Sequence, residues 1–382
     1  MAKIRKVTWR NAGGKVSQRF QLTYMDANGN RSRKQFATKA GADAERVRIE
    51  SEIRDGQHVS DSSSKTVKDG CEAWLLHKEN LVRLGKRERV TARHYRTHIE
   101  RHLEQHAIAT MWLNRLTSPD VQKFVEDLEN TLSHALAVKV YATLRMSLSY
   151  CRLRGWLTHD PCKGVKIERP RRYSANKVKI PAKEDIKALL KAASENDITG
   201  KSTAMLRLMV FRGLRISEVR GLPYHALMLE GKTPTVEIFQ RADDYSKIGK
   251  PKSSSAYRTI PLSQEDVLAL KKWLLSCGVK GQGLIFGTKT GRPNSYQNLI
   301  NRWWTPLMAK TGLVEEDASK FTPHQLRHAF ASLHIEHGTQ PKQLQTLMGH
   351  SSIKITMDTY GHLWNDAEAG HALALAVERQ LG

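Results

Sequence analysis

The sequence predicts a multidomain α+β chain. A three-stranded sheet with one helix comes first, a helical bundle second, and a mostly α domain with a small antiparallel sheet last. Three observations carry that prediction. At 382 residues the chain is too long for one ordinary core, so two or three domains are expected. Hydrophobic periodicity is two near the N-terminus and becomes helical from residue 65. Two polar stretches, 56–66 (GQHVSDSSSKT) and 168–179 (ERPRRYSANKVK), interrupt the pattern and read as linkers. The boundaries that follow are 1–58, 65–166 and 178–382.

In the first module KVTW and RFQLTYMD read as strands, and Phe20, Leu22 and Tyr24 share one face of the second. NAGGK joins them. DANGN, with Asn28-Gly29 at its centre, predicts a hairpin into a third strand, RSRKQF. Thr38 is placed to cap a helix that runs to about Arg54. Arg19, Arg31, Arg33 and Lys34 fall on or beside these strands. A two-stranded ribbon is narrow enough for a DNA major groove, although a solvated sheet face would look the same.

The middle region carries four helical patterns, near 66–83, 90–106, 118–130 and 133–154. Tyr95, Ile99 and Leu103 stand four apart in the second. Val138, Tyr141, Leu144 and Leu148 are predicted as the buried face of the fourth. THDPCKGV, 158–165, ends the bundle. In the last domain PAKEDIKALLKAA predicts a capped amphipathic helix. TAMLRLMVFRGLRISEVRGL reads as a helix broken at Gly213. TVEIFQ and YRTIPL are strand-like, with a polar hairpin region between them. QEDVLALKKWLLS, SYQNLINRWWTPLMAKT, PHQLRHAFASLHIEHG and PKQLQTLMG are helical.

Composition narrows the function. Lys and Arg number 62 against 38 Asp and Glu, a formal +24 spread along the chain. A folded protein with that excess repels itself unless a polyanion is near, which points to nucleic acid. The basic linker adds Arg171 and Arg172 as candidate phosphate contacts. No apolar run approaches twenty residues, and the charged start MAKIRKVTWR has no apolar stretch behind it, so neither a membrane span nor a secretory signal is expected. The four cysteines form no CxxC pair, which argues against a zinc ribbon or a disulfide framework and fits a reducing cytoplasm.

Four stretches of the last domain hold chemistry. GLRISE puts Arg215 after a glycine break with Glu218 three residues on. GKPKSSSAYRTIPL puts lysines in a flexible turn before a strand, where one could reach a phosphate or donate a proton. In FTPHQLRHAF, Thr322 and Pro323 start a helix, and His324 and Arg327 stand on one face of it. His324 and His328 also have metal-binding spacing, but no carboxylate sits where a zincin helix needs one. LMGHSSIKITMDTYGHL places His350 after a helix-ending glycine and Tyr360 ten residues later, past a short Thr/Met/Asp segment. Each stretch alone reads as ordinary surface or packing.

The ordered set resembles the tyrosine recombinase (phage integrase) family across the whole 180–382 unit. The family's boxes are matched by GLRISEV, KSSSAYRTIPL, HQLRHAFAS, LMGHSS and TYGH. One departure is Arg212, where the family more often has a small residue or Thr. The resemblance implies that 1–58 is an arm-type DNA-binding domain, 65–166 a helical core-site DNA-binding domain and 178–382 the catalytic domain. It implies attack by Tyr360 on a DNA phosphodiester to give a 3′-phosphotyrosine. Arg215 and Arg327 would hold the phosphoryl oxygens and His350 would donate a hydrogen bond to one of them. His324 would accept the phenol's proton or position it. Lys252, or its neighbours Lys247 and Lys250, would protonate the leaving oxygen, and Glu218 would orient Arg215.

No metal, ATP or other cofactor is expected. The implied partners are double-stranded DNA at attachment sites, three further copies in a homotetramer and an accessory DNA-bending protein, with no membrane. The expected setting is the cytoplasm, on the nucleoid. The expected role is integration or excision of a prophage or similar element. A type IB topoisomerase-like enzyme or an idle DNA-binding protein of the same fold are the alternatives. In the family a C-terminal segment can dock on a neighbouring protomer, which gives the amphipathic tail at 371–381 a second reading besides capping its own core.

Overall fold

A computed structural model describes residues 2–10, 16–25, 31–54, 64–168, 178–315, 318–364 and 378–379. The Asn28-Gly29 turn, the NAGGK connection, most of both linkers with Arg171 and Arg172, and the tail apart from 378–379 lie outside the described residues. The chain divides into two compact units, 1–173 and 174–382.

The first unit opens with strands β1 (Lys3–Arg10), β2 (Val16–Met25) and β3 (Arg31–Phe36), antiparallel in the order β1-β2-β3, followed by α1 (Lys39–Arg54). Alternation along β2 buries Leu22 and Tyr24, which pack with Ile49 of α1. Thr38 caps α1 as expected, accepting from Gly41 N at 3.2 Å. Register corrects one expectation. Lys34 lies opposite Leu22, so it faces the helix, where its Nζ reaches Glu45 at 2.8 Å. Arg19, Arg31 and Arg33 occupy the other face with Arg5, because Arg19 pairs with Val7, Arg33 with Thr23 and Arg31 with Met25.

The bundle comprises α2 (Val67–Arg83), α3 (Arg89–His98), α4 (Ser118–Thr131) and α5 (His134–Leu153). Two capping boxes start α2 and α4. Asp69 accepts from Thr66 N at 2.8 Å, and Asp120 from Thr117 N at 2.9 Å. The second predicted helix continues past α3 through a π turn, Ile99–Leu103, that keeps Ile99 and Leu103 inside. On α5 the buried face is Ala137, Val140, Tyr141, Leu144 and Leu148. Val138, predicted as core, is 42% exposed. It stands about 100° around the helix from Ala137, outside that stripe.

The second unit begins with α6 (Lys183–Asn196), whose N-cap is Ala182 and carries no side-chain cap, contrary to the expected capped start. Then come α7 (Lys201–Val210) and α8 (Ile216–Arg220). The strands are β4 (Leu227–Met228), β5 (Thr235–Ile238), β6 (Arg241–Ala242), β7 (Ile248–Gly249) and β8 (Arg258–Pro261). β4, β5 and β8 form one antiparallel sheet, with Val236 opposite Ile260. β6 and β7 pair as a hairpin in the chain between β5 and β8. Helix α9 (Gln264–Cys277) follows. Next, α10 (Tyr296–Leu299) and α11 (Thr305–Lys310) are joined by a π turn, and strands β9 (Val314–Glu315) and β10 (Ala318–Ser319) pair. Helices α12 (Pro323–Glu336), α13 (Pro341–Met348) and α14 (Ile353–Tyr360) complete the unit. The Thr/Met/Asp segment, left unassigned from sequence, is therefore helix α14, with Tyr360 as its last residue. The core gathers α6, α7, the sheet, α9 and α11 around Leu189, Met205, Val236, Phe286 and Met308. Among the described residues no helix is long and apolar enough to cross a membrane.

Candidate active site

One cavity of about 710 Å³ is lined by Arg215, Glu218, Lys252, His324, Arg327, His350 and Tyr360. Four separate segments bring them together. Gly213 is the first device. Its φ is +64°, and a Cβ there would lie 2.6 Å from the Phe330 ring. That turn lets α7 end and α8 begin with Arg215 as its N-cap. Gly349 is the second, at φ +61° after α13, with a Cβ position 3.0 Å from the Ser255 carbonyl. It turns the chain so that His350 meets the cavity.

Glu218 is the hub. Its Oε1 accepts from Arg215 Nη1 at 2.8 Å and its Oε2 from the Arg215 backbone N at 2.8 Å. Arg258 grips both oxygens in a fork, at 2.8 and 3.1 Å. The same Arg258 donates to the Leu347 and Ala256 carbonyls, each at 3.0 Å. It thereby ties α8 to the end of α13 and to the loop that carries Lys252. Burial pushes the Glu218 carboxyl up, but Arg258, Arg327 and Arg215 overcome it and hold the group down at about 2. Arg327 is 2% exposed and donates to the Gly213 and Met348 carbonyls. Burial and the nearby Arg215 bring its guanidinium down to about 9. Arg215 and Arg258 thus share one carboxylate with a third guanidinium, Arg327, close by, a local excess of positive charge suited to an anion.

Burial and the positive surroundings favour the neutral form of the imidazoles. Burial, reinforced by Arg327, Arg215 and Arg258, lowers His350 to about 3. Its Nδ1 lies 3.0 Å from the hydroxyl of Thr356, a buried residue of α14. A neutral ring that accepts from Thr356 there carries its one proton on Nε2, available to an acceptor. His324 occupies the first turn of α12 beyond a Thr322–Gln325 capping box, and burial also lowers it. Tyr360 is 1% exposed. Burial raises its phenol to about 12, against the pull of Arg327 and Arg215.

Of the three candidate lysines, Lys252 lines the cavity, whereas Lys247 and Lys250 are not among its lining residues. Arg212 turns aside and pairs through Nε with buried Asp266 at 2.6 Å, which also holds Arg207 at 2.8 Å. On the N-terminal sheet Arg31 and Arg33 line a separate 450 Å³ cleft with Lys3 and Arg5. Two site residues escaped the sequence reading. Arg258 shares the inward face of its strand with Ile260, and an arginine at an inward position was the available signal. His328 was weighed only as a metal ligand. Its Nδ1 stands 2.5 Å from the Tyr360 hydroxyl, and among the described residues no group of three His, Cys, Asp or Glu could hold a metal ion.

Residues 181–366 match the phage integrase family. A "Tyrosine recombinase XerC-like" protein from Caldanaerobacter subterraneus subsp. tengcongensis is 26% identical over 380 residues, covering 92% of this chain and 93% of that protein. The Tn1549 transposon integrase, solved in complex with a circular intermediate DNA, superposes with a TM-score of 0.65 at 20% identity, covering 82% of this chain and 99% of that one. A lambda integrase dimer bound to a COC′ core site gives 0.57 at 16% identity, covering 94% of each chain. The last two likenesses are of fold. Through residues 181–366 the chain belongs to the phage integrase family, the tyrosine recombinases, which are DNA strand-exchange transesterases.

Proposed function

We propose that the chain is a site-specific recombinase that cuts and rejoins duplex DNA through a 3′-phosphotyrosine on Tyr360, in the service of a prophage or other integrating element. The observation that carries this reading is the buried Tyr360 hydroxyl in one cavity with Arg215, Arg327, His350 and Lys252. A phosphodiester resists an oxygen nucleophile because negative charge builds on its oxygens. Arg215 and Arg327 neutralise that charge, and His350 adds a neutral donor. His324 stands at the N-terminal turn of α12, where the helix also favours an anion. Lys252 protonates the 5′-oxygen as it leaves. The new ester keeps the energy of the broken bond, so a second 5′-hydroxyl can attack it without ATP or a metal.

In this reading the N-terminal module binds arm-type sites through Arg19, Arg31 and Arg33. The 65–166 bundle, with the basic linker at Arg171 and Arg172, holds the core site, and four copies assemble on DNA beside a bending protein. The work is done in the cytoplasm, on the nucleoid. The Tn1549 and lambda structures, both DNA complexes, support the choice of ligand.

The test uses a nicked duplex carrying a core site selected by binding from a random pool. Wild type should give a covalent protein–DNA band on a denaturing gel with chelator present, and Tyr360→Phe should give none. A band from both proteins would move the nucleophile elsewhere. A band from neither would leave a DNA-binding protein only.

A further inference from the structure

The contact at the nucleophile falls to a residue outside the set assigned above. His328 lies one helical turn beyond His324 on α12 and is half-buried. Its Nδ1 meets the Tyr360 hydroxyl at 2.5 Å, within direct proton-transfer reach. His324 stands edge-on to His328, ring centroids 5.1 Å apart at 85°. We propose that His328 is the proton acceptor for the attacking phenol. As the bond from the Tyr360 oxygen to phosphorus forms and the bond from phosphorus to O5′ breaks, the phenolic proton moves to His328 Nδ1. The leaving 5′-oxygen takes a proton from Lys252. In rejoining, the incoming 5′-hydroxyl gives its proton to Lys252 as His328 returns its proton to the departing phenol. His324 is left to the phosphoryl oxygens. The inference rests on the reading of Tyr360 as nucleophile.

The surroundings agree. An acceptor must be a neutral ring with its one proton on Nε2, and the groups facing His328 favour the neutral ring. His324 and Arg327 stand beside it on its own helix, Tyr360 meets it from α14, and Arg215 and His350 reach the same cavity from α8 and from the turn after α13. Burial first, then His324 and Arg327, lowers the ring to about 4. Tyr360, raised to about 12, has almost no phenolate of its own at neutral pH, so a base next to it matters.

The nicked duplex above supplies the test, read as the single-turnover rate of covalent-complex formation. His328→Asn and His328→Ala should bind the duplex like wild type yet cleave about 100-fold or more slowly at pH 7. That deficit should shrink about tenfold for each pH unit upward, as free phenolate replaces the missing base. Religation from the preformed covalent complex should slow by a similar factor. The wild-type rate should be nearly level from pH 6 to 9, a readout that needs no variant to fold. A wild-type rate climbing tenfold per unit, variants at the wild-type rate, or a deficit constant with pH would each overturn the proposal. These results differ from failure of the nucleophile assignment, which would show as a band with Tyr360→Phe.

Discussion

Glu218 is one carboxylate among three guanidiniums, and its removal exposes what it balances. In Glu218→Gln the buried Arg258 loses its carboxylate partner among the described residues. The expected cost is about 3–5 kcal/mol of stability in the 174–382 unit, the range for breaking a buried pair, measured as a lowered denaturation midpoint. Linkage gives the pH dependence. The folded carboxyl is held down at about 2, below its ordinary 4.5. Its stabilisation is therefore fully present above about pH 5 and is lost as pH falls through the folded value, on the order of 3 kcal/mol in all. Wild type should lose more stability between pH 5 and pH 2 than Glu218→Gln does. Equal losses would show that Glu218 is not the linked group. Thr356 acts one bond further out. Thr356→Val keeps the shape but frees Nδ1 of His350, so the tautomer is no longer fixed. Cleavage of the nicked duplex should fall by about tenfold with the melting midpoint little changed, and histidine ¹⁵N shifts should show mixed tautomers.

At the scale of elements, the site depends on turns that aim helices. Gly213→Ala would place a methyl 2.6 Å from the Phe330 ring at a φ of +64°, and the displaced turn also carries the carbonyl that holds Arg327. The expected loss is about 2 kcal/mol or more, with cleavage falling alongside it. Pairing it with Phe330→Leu should recover part of the stability, which a double-mutant cycle would read. Such turns explain what the sequence made legible. Gly213 and Gly349 announced themselves as breaks in helical pattern, so Arg215 and His350 could be placed just after turns, while their roles came only from the family resemblance. Helix α14 could not, because IKITMDTY is rich in β-branched residues and shows no strong apolar stripe. Its helicity comes from packing Thr356 and Tyr360 inward. His328 was visible as a helix-face neighbour of His324, but nothing in the chain said that Tyr360 would end beside it. That contact spans 32 residues and exists only once α12 and α14 pack. Lys34 differs in the opposite way, since composition named it and register turned it toward α1.

The whole molecule carries +24, and its distribution decides how it meets DNA. Burial already uses part of that charge internally. Arg258 is committed to Glu218, Arg207 and Arg212 to Asp266, and Lys34 to Glu45. What remains for phosphates on the N-terminal module is the open sheet face with Arg19, Arg31 and Arg33. Each phosphate neutralised releases counterions, so affinity should fall steeply with salt, by about 0.9 in log–log slope per contact. Replacing Arg31 or Arg33 by Ala should lower that slope by about 1 each and weaken binding to any duplex alike. Lys34→Ala should leave the slope unchanged. Its Glu45 ion pair is half-buried, and its loss should cost only about 0.5 kcal/mol of stability in the 2–54 module. Fluorescence anisotropy on an arbitrary duplex from 50 to 300 mM salt separates the two cases. A slope that responds to Lys34 and ignores Arg31 and Arg33 would mean that DNA meets the helix side of the module. That would place the module's DNA contact on α1 instead of the open face of β1-β2-β3.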